Sequence, residues 1–238
     1  MKNHQTRMDV IGNNIANVNT TGYKSSRVQF KDVLGQTIAG GQVASGVTIA
    51  GINKNFTQGS QTATENSTDL YIHGNGFFGV QDPNNTDITY YTRDGSFSVD
   101  EEGNLVNSLG YNVCDSGGSP ITGLTPPIDS ISIDATGEIF LNGSDTNLKI
   151  GLATVMDLQK LSNQGNNLYK YTGTEDPEFH EPGSDNVGTV ISNNLEMSNV
   201  DLTDEFSNMI VTQRGYQANS KVITTSDEML QELIGLKR

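Results

Sequence analysis

The chain has 238 residues with 14 basic against 28 acidic side chains, a net charge of −14. So acidic a surface is repelled by phosphate backbones and anionic lipid, which argues against nucleic acid and membrane surfaces as partners; no apolar run approaches the roughly 20 residues of a membrane helix, and the start lacks the basic-then-apolar pattern of a secretory signal. One cysteine, Cys114, excludes an internal disulfide framework and a thiolate zinc site, and 34% apolar residues without Trp point to a thin core, suited to an elongated module or to segments that order with partners.

Met8, Ile11, Ile15 and Val18 step by three and four residues, which predicts an amphipathic helix from Lys2 to about Asn19, ended by Gly22 in the left-handed conformation. About five turns are marginal alone in water, and the asparagines of "IGNNIANVN" weaken such a helix further, so this amino-terminal core segment, residues 1–22, needs a partner. Residues 23–66, rich in Gly, Ser, Thr and Gln with single Val and Ile between them, read as an extended segment packed lightly along something else.

Residues 67–190 read as a β domain. "DLYIHGNGFFGV" gives strand, Gly-Asn-Gly turn, strand, and "ITYYTRDGSFSVDEEGNLV" gives three strands separated by an Asp-Gly turn and an acidic Gly turn. Further strands fit residues 131–133, 138–141 and 148–156, while 173–186, polar with two prolines, read as an exposed loop.

The last segment, 191–238, returns to helical spacing. Leu202, Phe206, Met209, Tyr216, Ile223, Leu230 and Ile234 form a near-heptad ladder, widened by Ile210, Val222, Met229 and Leu233 and interrupted by Gln213, Ser220 and Asp227. A continuous helix over Leu202–Leu236 would run on the order of 50 Å. Gly215 marks a bend or a close helix contact, and Lys237 and Arg238 complement the dipole at the carboxyl end. The fold class is therefore mixed α and β: an all-β central domain between terminal helices that form a coiled-coil-like core segment. The simplest burial sets the two apolar stripes against each other, with neighbouring copies satisfying the polar side chains near the seam.

Nothing in the sequence assembles a catalyst. His4, His73 and His180 lie far apart, no nucleophile elbow or phosphate loop is present, and "HGNGFFG" is not followed by the helix a nucleotide loop requires. Glu101 and Glu102 sit in a turn or on opposite faces of a strand, which does not make a glycosidase dyad. Residues 82–87 and 94–104 gather oxygens in short loops, as calcium sites do, but match no EF-hand; acidic turn chemistry accounts for them. We expect no enzyme, no cofactor and no metal, and keep a secreted calcium-binding β-rich adhesin as the competing class.

"MDVIGNNIANVNTTGYK" and "NNLEMSNVDLTDEFSNMIVTQRGYQANSKVITTSDEMLQELIGLKR" closely resemble the terminal signatures of the bacterial flagellar rod and hook proteins, and "DLYIHGNGFFGVQD" with "YYTRDGSFSVDEEGNLVNSLGY" resembles their β domain. The resemblance implies a helical homopolymer in the axial structure, in the hook or basal body and outside the cell after export by the flagellar type III apparatus. Adjacent axial proteins of the rod and of the hook–filament junction are the implied neighbours. On this basis the subunit-contact core is Met8, Ile11, Ile15 and Val18 at one end, and Leu202, Phe206, Met209, Ile210, Tyr216, Ile223, Leu230 and Ile234 at the other. Within the family the carboxyl-terminal run looks most like a hook protein, whereas the short middle suits the distal rod protein; the sequence reading is a compact hook subunit, with the distal rod protein as the alternative. Family members carry a short apolar stretch ahead of these residues, so the native first helix is expected to be longer.

Overall fold

The computed structural model describes residues 1–33, 37–38, 41–42, 46–83, 85–124, 130–174, 176–184 and 187–236. Two terminal helices and a many-stranded centre give the mixed α and β architecture indicated by the sequence. The chain forms two compact units, a helical unit (Met1–Val18, Ser25–Asn55, Val200–Arg238) and a β unit (Asn19–Lys24, Phe56–Asn199).

In the helical unit, α1 (Lys2–Ala16) is followed by β1 (Ser26–Val33), two short strands, β2 (Thr37–Ile38) and β3 (Gly41–Gln42), and β4 (Gly46–Lys54). β1 and β4 pair antiparallel from Ser26↔Lys54 to Val33↔Gly46, with a register shift at Gln29/Phe30. Part of the segment expected to be extended and lightly packed is thus a regular two-stranded ladder, because Val28, Phe30, Val47, Ile49 and Ile52 favour a pleated surface despite the Gly-rich text around them. The second helix, α2 (Leu202–Leu236), has 35 residues. It starts well after residue 191, because the chain first makes two strands; the Asp201 carboxylate then accepts from the amides of Thr203 (2.7 Å) and Asp204 (3.3 Å), capping the first turn. Lys237 and Arg238 lie outside the described residues.

The β unit holds β5 (Gln61–Ala63), β6 (Leu70–His73), β7 (Phe77–Asp82), β8 (Asn85–Thr92), β9 (Phe97–Val99), β10 (Leu105–Asn107), β11 (Asn112–Val113), β12 (Ile131–Ile133), β13 (Glu138–Leu141), β14 (Ser144–Lys149), β15 (Leu152–Thr154), β16 (Leu161–Gly165), β17 (Leu168–Tyr171), β18 (Glu178–His180), β19 (Thr189–Ser192) and β20 (Asn194–Glu196). Its largest sheet has nine antiparallel strands in the order β16-β17-β8-β7-β11-β10-β9, with β15 joining β7 and β18 joining β15. β7 is central and buried on both faces. Phe78 and Val80 enter a core with Leu70, Ile72, Phe97, Leu105 and Leu152, whereas Phe77 enters a second cluster with Tyr91, Ala153 and Tyr169. That two-sided burial explains the unbroken apolar run "FFGV".

The strands expected at 131–133 and 138–141 form as read, but two of the turns act differently. β6 pairs with β19 and β9 pairs with β10, so Gly-Asn-Gly and Asp-Gly carry the chain between partners rather than closing hairpins. Only the acidic turn of these three, residues 100–104, closes a hairpin, with Gly103 at φ +77°. The expected strand 148–156 is split between β14 and β15 at Gly151, where a Cβ would lie 2.1 Å from the Asp115 carbonyl oxygen. The expected loop 173–186 contains β18, paired with β15.

Cys114 is fully buried, and burial first, then the neighbouring Asp115 charge, pushes its thiol up to about 12. Because the thiolate is the reactive form, Cys114 is expected to resist iodoacetamide at mildly alkaline pH in the folded protein and to react fully in guanidinium chloride. Labelling of the native chain, read by mass spectrometry, would contradict this placement.

Candidate functional site

α1 and α2 pack antiparallel, and the residues that join them are not the apolar ladder. The Asn14 Nδ2 donates to Glu205 Oε1 (2.8 Å), the Arg7 Nη2 donates to Asn208 Oδ1 (3.1 Å), and the His4 ring faces Gly215, where a Cβ would lie 2.9 Å from its Cε1. Between these points lies Thr212, buried, with its hydroxyl donating to the Asn208 carbonyl (2.7 Å). Glu205, Asn208, Thr212 and Gly215 recur at three and four residues, so they form one helical stripe, polar and small. Gly215 is therefore a close helix contact rather than a bend point.

The seam leaves the ladder in solvent. Leu202, Phe206, Ile210, Tyr216, Ile223, Leu230 and Ile234 are all exposed, rising to 71% at Ile234, and Met209 alone of the carboxyl-terminal set is half-buried. At the other end Ile11 is buried, and Met8, Ile15 and Val18 are half-buried. The two apolar stripes do not bury each other: along residues 205–215 α1 lies on the polar stripe of α2, and beyond that helix length decides. α2 is 35 residues long and α1 only 15, so at 1.5 Å per residue α1 spans less than half of its partner. Every residue from Lys221 to Leu236 is exposed.

The asparagines find partners inside the chain. Asn14, almost fully buried, uses its amide twice on β1: Nδ2 donates to the Ser26 carbonyl and Oδ1 accepts from the Ser26 amide, both at 2.9 Å. Asn17 donates to the Asn13 carbonyl (2.8 Å), closing the end of α1. Neighbouring copies are thus not required for these two. Gly22 does adopt a left-handed φ of +66°, but six residues beyond the end of α1; a Cβ there would lie 2.5 Å from the Asp94 amide, so its role is close backbone approach within the β unit.

Among the described residues no group of three or more His, Cys, Asp or Glu is placed to hold a metal ion. In the acidic segment 94–104 the carboxylates bond the segment's own backbone, Asp94 accepting from the Ser96 amide and Asp100 from the Glu101 amide. No described helix is long and apolar enough to cross a membrane. The polar seam was absent from the sequence reading: the interruptions of the ladder, Gln213, Ser220 and Asp227, are other residues, and only Gly215, read as a bend or a close helix contact, pointed to it.

Family comparison agrees with this architecture. Residues 1–24 match the model for flagella basal body rod proteins, 71–141 the flagellar hook protein FlgE/F/G D1 domain, and 191–236 the flagellar basal body rod FlgEFG protein carboxyl-terminal region. The flagellar basal-body rod protein FlgG of Bacillus subtilis is 45% identical over 259 aligned positions, covering 100% of this chain and 96% of the relative. FlgG of Borreliella burgdorferi is 38% identical (100% of this chain, 96% of the relative), and the rod protein FlgF of Caulobacter vibrioides is 34% identical (95% and 90%). The chain belongs to the FlgE/F/G family of flagellar rod and hook proteins, a family of structural proteins. It is an axial structural subunit of the flagellar basal body. The hook reading gives way here: the relatives are rod proteins, and the carboxyl-terminal run taken as hook-like lies in a region whose model spans all three members. The adhesin alternative falls with it.

Asn14→Ala removes the partner of both Ser26 backbone groups and of Glu205, and an unsatisfied buried polar group costs about 1–3 kcal/mol. The variant is expected to unfold its helical unit at lower urea, followed by far-UV circular dichroism, while the β unit's near-UV signal keeps its midpoint.

Proposed function

We propose that this chain is a distal rod subunit, polymerising into a hollow tube that acts as the drive shaft of the flagellar motor. Carrying the proposal is the apolar face of α2, which remains in solvent after α1 has taken the polar seam. Fully burying a Val, Leu, Ile or Met side chain contributes about 1.5–3 kcal/mol. Val222, Ile223, Met229, Leu230, Leu233 and Ile234 are each more than half exposed, so covering them with copies of the same chain supplies a strong drive to assemble. Rod rather than hook follows the relatives named above, rod proteins that match over at least 90% of their length. Export through the type III apparatus, contacts with the adjacent rod proteins, and the junction to the hook belong to the same proposal.

Charge is divided in a way that suits it. The β unit carries 20 acidic and 5 basic residues, net −15, and the helical unit 8 and 9, net +1. Like-charged β units repel, so contacts between copies fall to the nearly neutral unit that bears the ladder.

Ile223 is 57% exposed and makes little contribution to the lone subunit. Ile223→Asp is expected to change monomer stability by no more than about 0.5 kcal/mol and to abolish polymer formation, scored by electron microscopy and sedimentation. Normal tubes from this variant would remove the ladder from the contact face. To separate rod from hook, immunogold label against the β unit on isolated basal bodies is expected on the straight shaft; label confined to the curved segment beyond it would reverse the assignment.

A further inference from the structure

The β unit contains a buried ionic cluster. Glu196 Oε1 accepts from Lys24 Nζ (2.6 Å) and the Gly59 amide (2.8 Å), and Oε2 accepts from Arg93 Nη1 (3.3 Å); the side chains of Lys24 and Glu196 are each 1% exposed and that of Arg93 is 6% exposed. The Glu196 carbonyl accepts from the Gly22 amide (2.8 Å). Lys24 Nζ donates also to the Thr57 carbonyl (2.9 Å), which accepts from Asn199 Nδ2 as well (3.0 Å). Arg93 Nη2 donates to the Gly74 carbonyl (2.9 Å), and its guanidinium lies 5.2 Å from the centre of the Phe77 ring.

The position of these residues in the chain gives the cluster its meaning. The chain passes between the β unit and the helical unit after residues 18, 24, 55 and 199. Lys24 and Asn199 are the last β-unit residues before two of those crossings, and Thr57 is the second residue after a third. Two positively charged groups and one carboxylate therefore knot three exits together, in an interior where each charge depends on the others. Burial lowers the Lys24 ammonium from its ordinary pKa, and the Glu196 carboxylate beside it opposes that shift. The apolar core around Phe78, Leu105 and Leu152 is made of other residues.

We propose that Lys24, Arg93 and Glu196 form a clasp that holds the chain exits of the β unit shut as one cooperative element, which opens separately from the apolar core. A clasp of this kind delivers force arriving along the terminal segments to one buried point instead of peeling β5 and β20 from the unit. The inference rests on the β unit alone and stands whether the subunit serves rod or hook.

Three amides report it, those of Gly22, Gly59 and Met197, the last bonded to the Ser60 carbonyl (2.8 Å). Hydrogen exchange on the full chain, with Cys114 alkylation as the reporter for the core, tests the clasp in Glu196→Gln. The variant leaves both buried cations without their countercharge, and exchange at all three amides is expected to rise together by at least about tenfold, with Cys114 still protected. Exchange that rises at one amide alone, that does not rise, or that rises in parallel with Cys114 reactivity would overturn the proposal. Lys24→Met keeps Arg93 on Glu196 and covers the case in which Glu196→Gln does not fold. It is expected to loosen the same three amides by a smaller factor, and a response confined to Gly22 would overturn the clasp.

Discussion

α2 offers two stripes of different chemistry, and a helix can turn only one of them toward a given partner. The stripe Glu205, Asn208, Thr212 and Gly215 is narrow enough for α1 to approach closely and carries the groups that His4, Arg7 and Asn14 meet. Once that stripe is taken, the ladder from Leu202 to Ile234 is left in water. Turning the ladder toward α1 would have given up the Asn14–Glu205 and Arg7–Asn208 hydrogen bonds, each a modest net contribution. The seam thus takes the polar side chains Asn14, Arg7, Glu205 and Asn208 and leaves the apolar surface of α2 in water.

The same division recurs in the charges. The β unit concentrates the acidic excess, and the helical unit is close to neutral. Like net charges hold the β units of separate copies apart. Inside the β unit the polar economy is tighter: the carboxylate of Glu196 joins residues separated by as many as 172 positions, and Gly59 must lack a side chain because a Cβ would lie 1.9 Å from the Met197 carbonyl oxygen. The buried charges specify which segments meet there, since no apolar residue could distinguish Lys24 from its neighbours.

Much of this was legible in the residues before any coordinates. Helical spacing of Met8, Ile11 and Ile15 and of the carboxyl-terminal ladder located both helices, and the short strands at 131–133 and 138–141 were readable from local pattern. Glycine turns were seen but not their partners: β6 goes to β19, more than a hundred residues away in sequence, and no turn residue encodes so distant a pairing. The ladder of β1 and β4 was hidden because Gly and Ser dilute its β-branched residues. Gly22 was read as a helix stop, when the local text cannot show that the Arg93–Asp94 backbone passes beside it.

The sequence by itself determined the element types, the acidic surface and the apolar ladder, because periodicity and composition are local properties that need no knowledge of the partner. Tertiary structure alone decided that α1 occupies the polar stripe and not the apolar one, that Asn14 is spent on Ser26 and Glu205, and that Lys24, Arg93 and Glu196 meet. Those outcomes depend on distances between residues far apart in the chain, where relative helix length, close backbone approach and the cost of an unpaired buried charge choose among pairings that the linear text leaves equal.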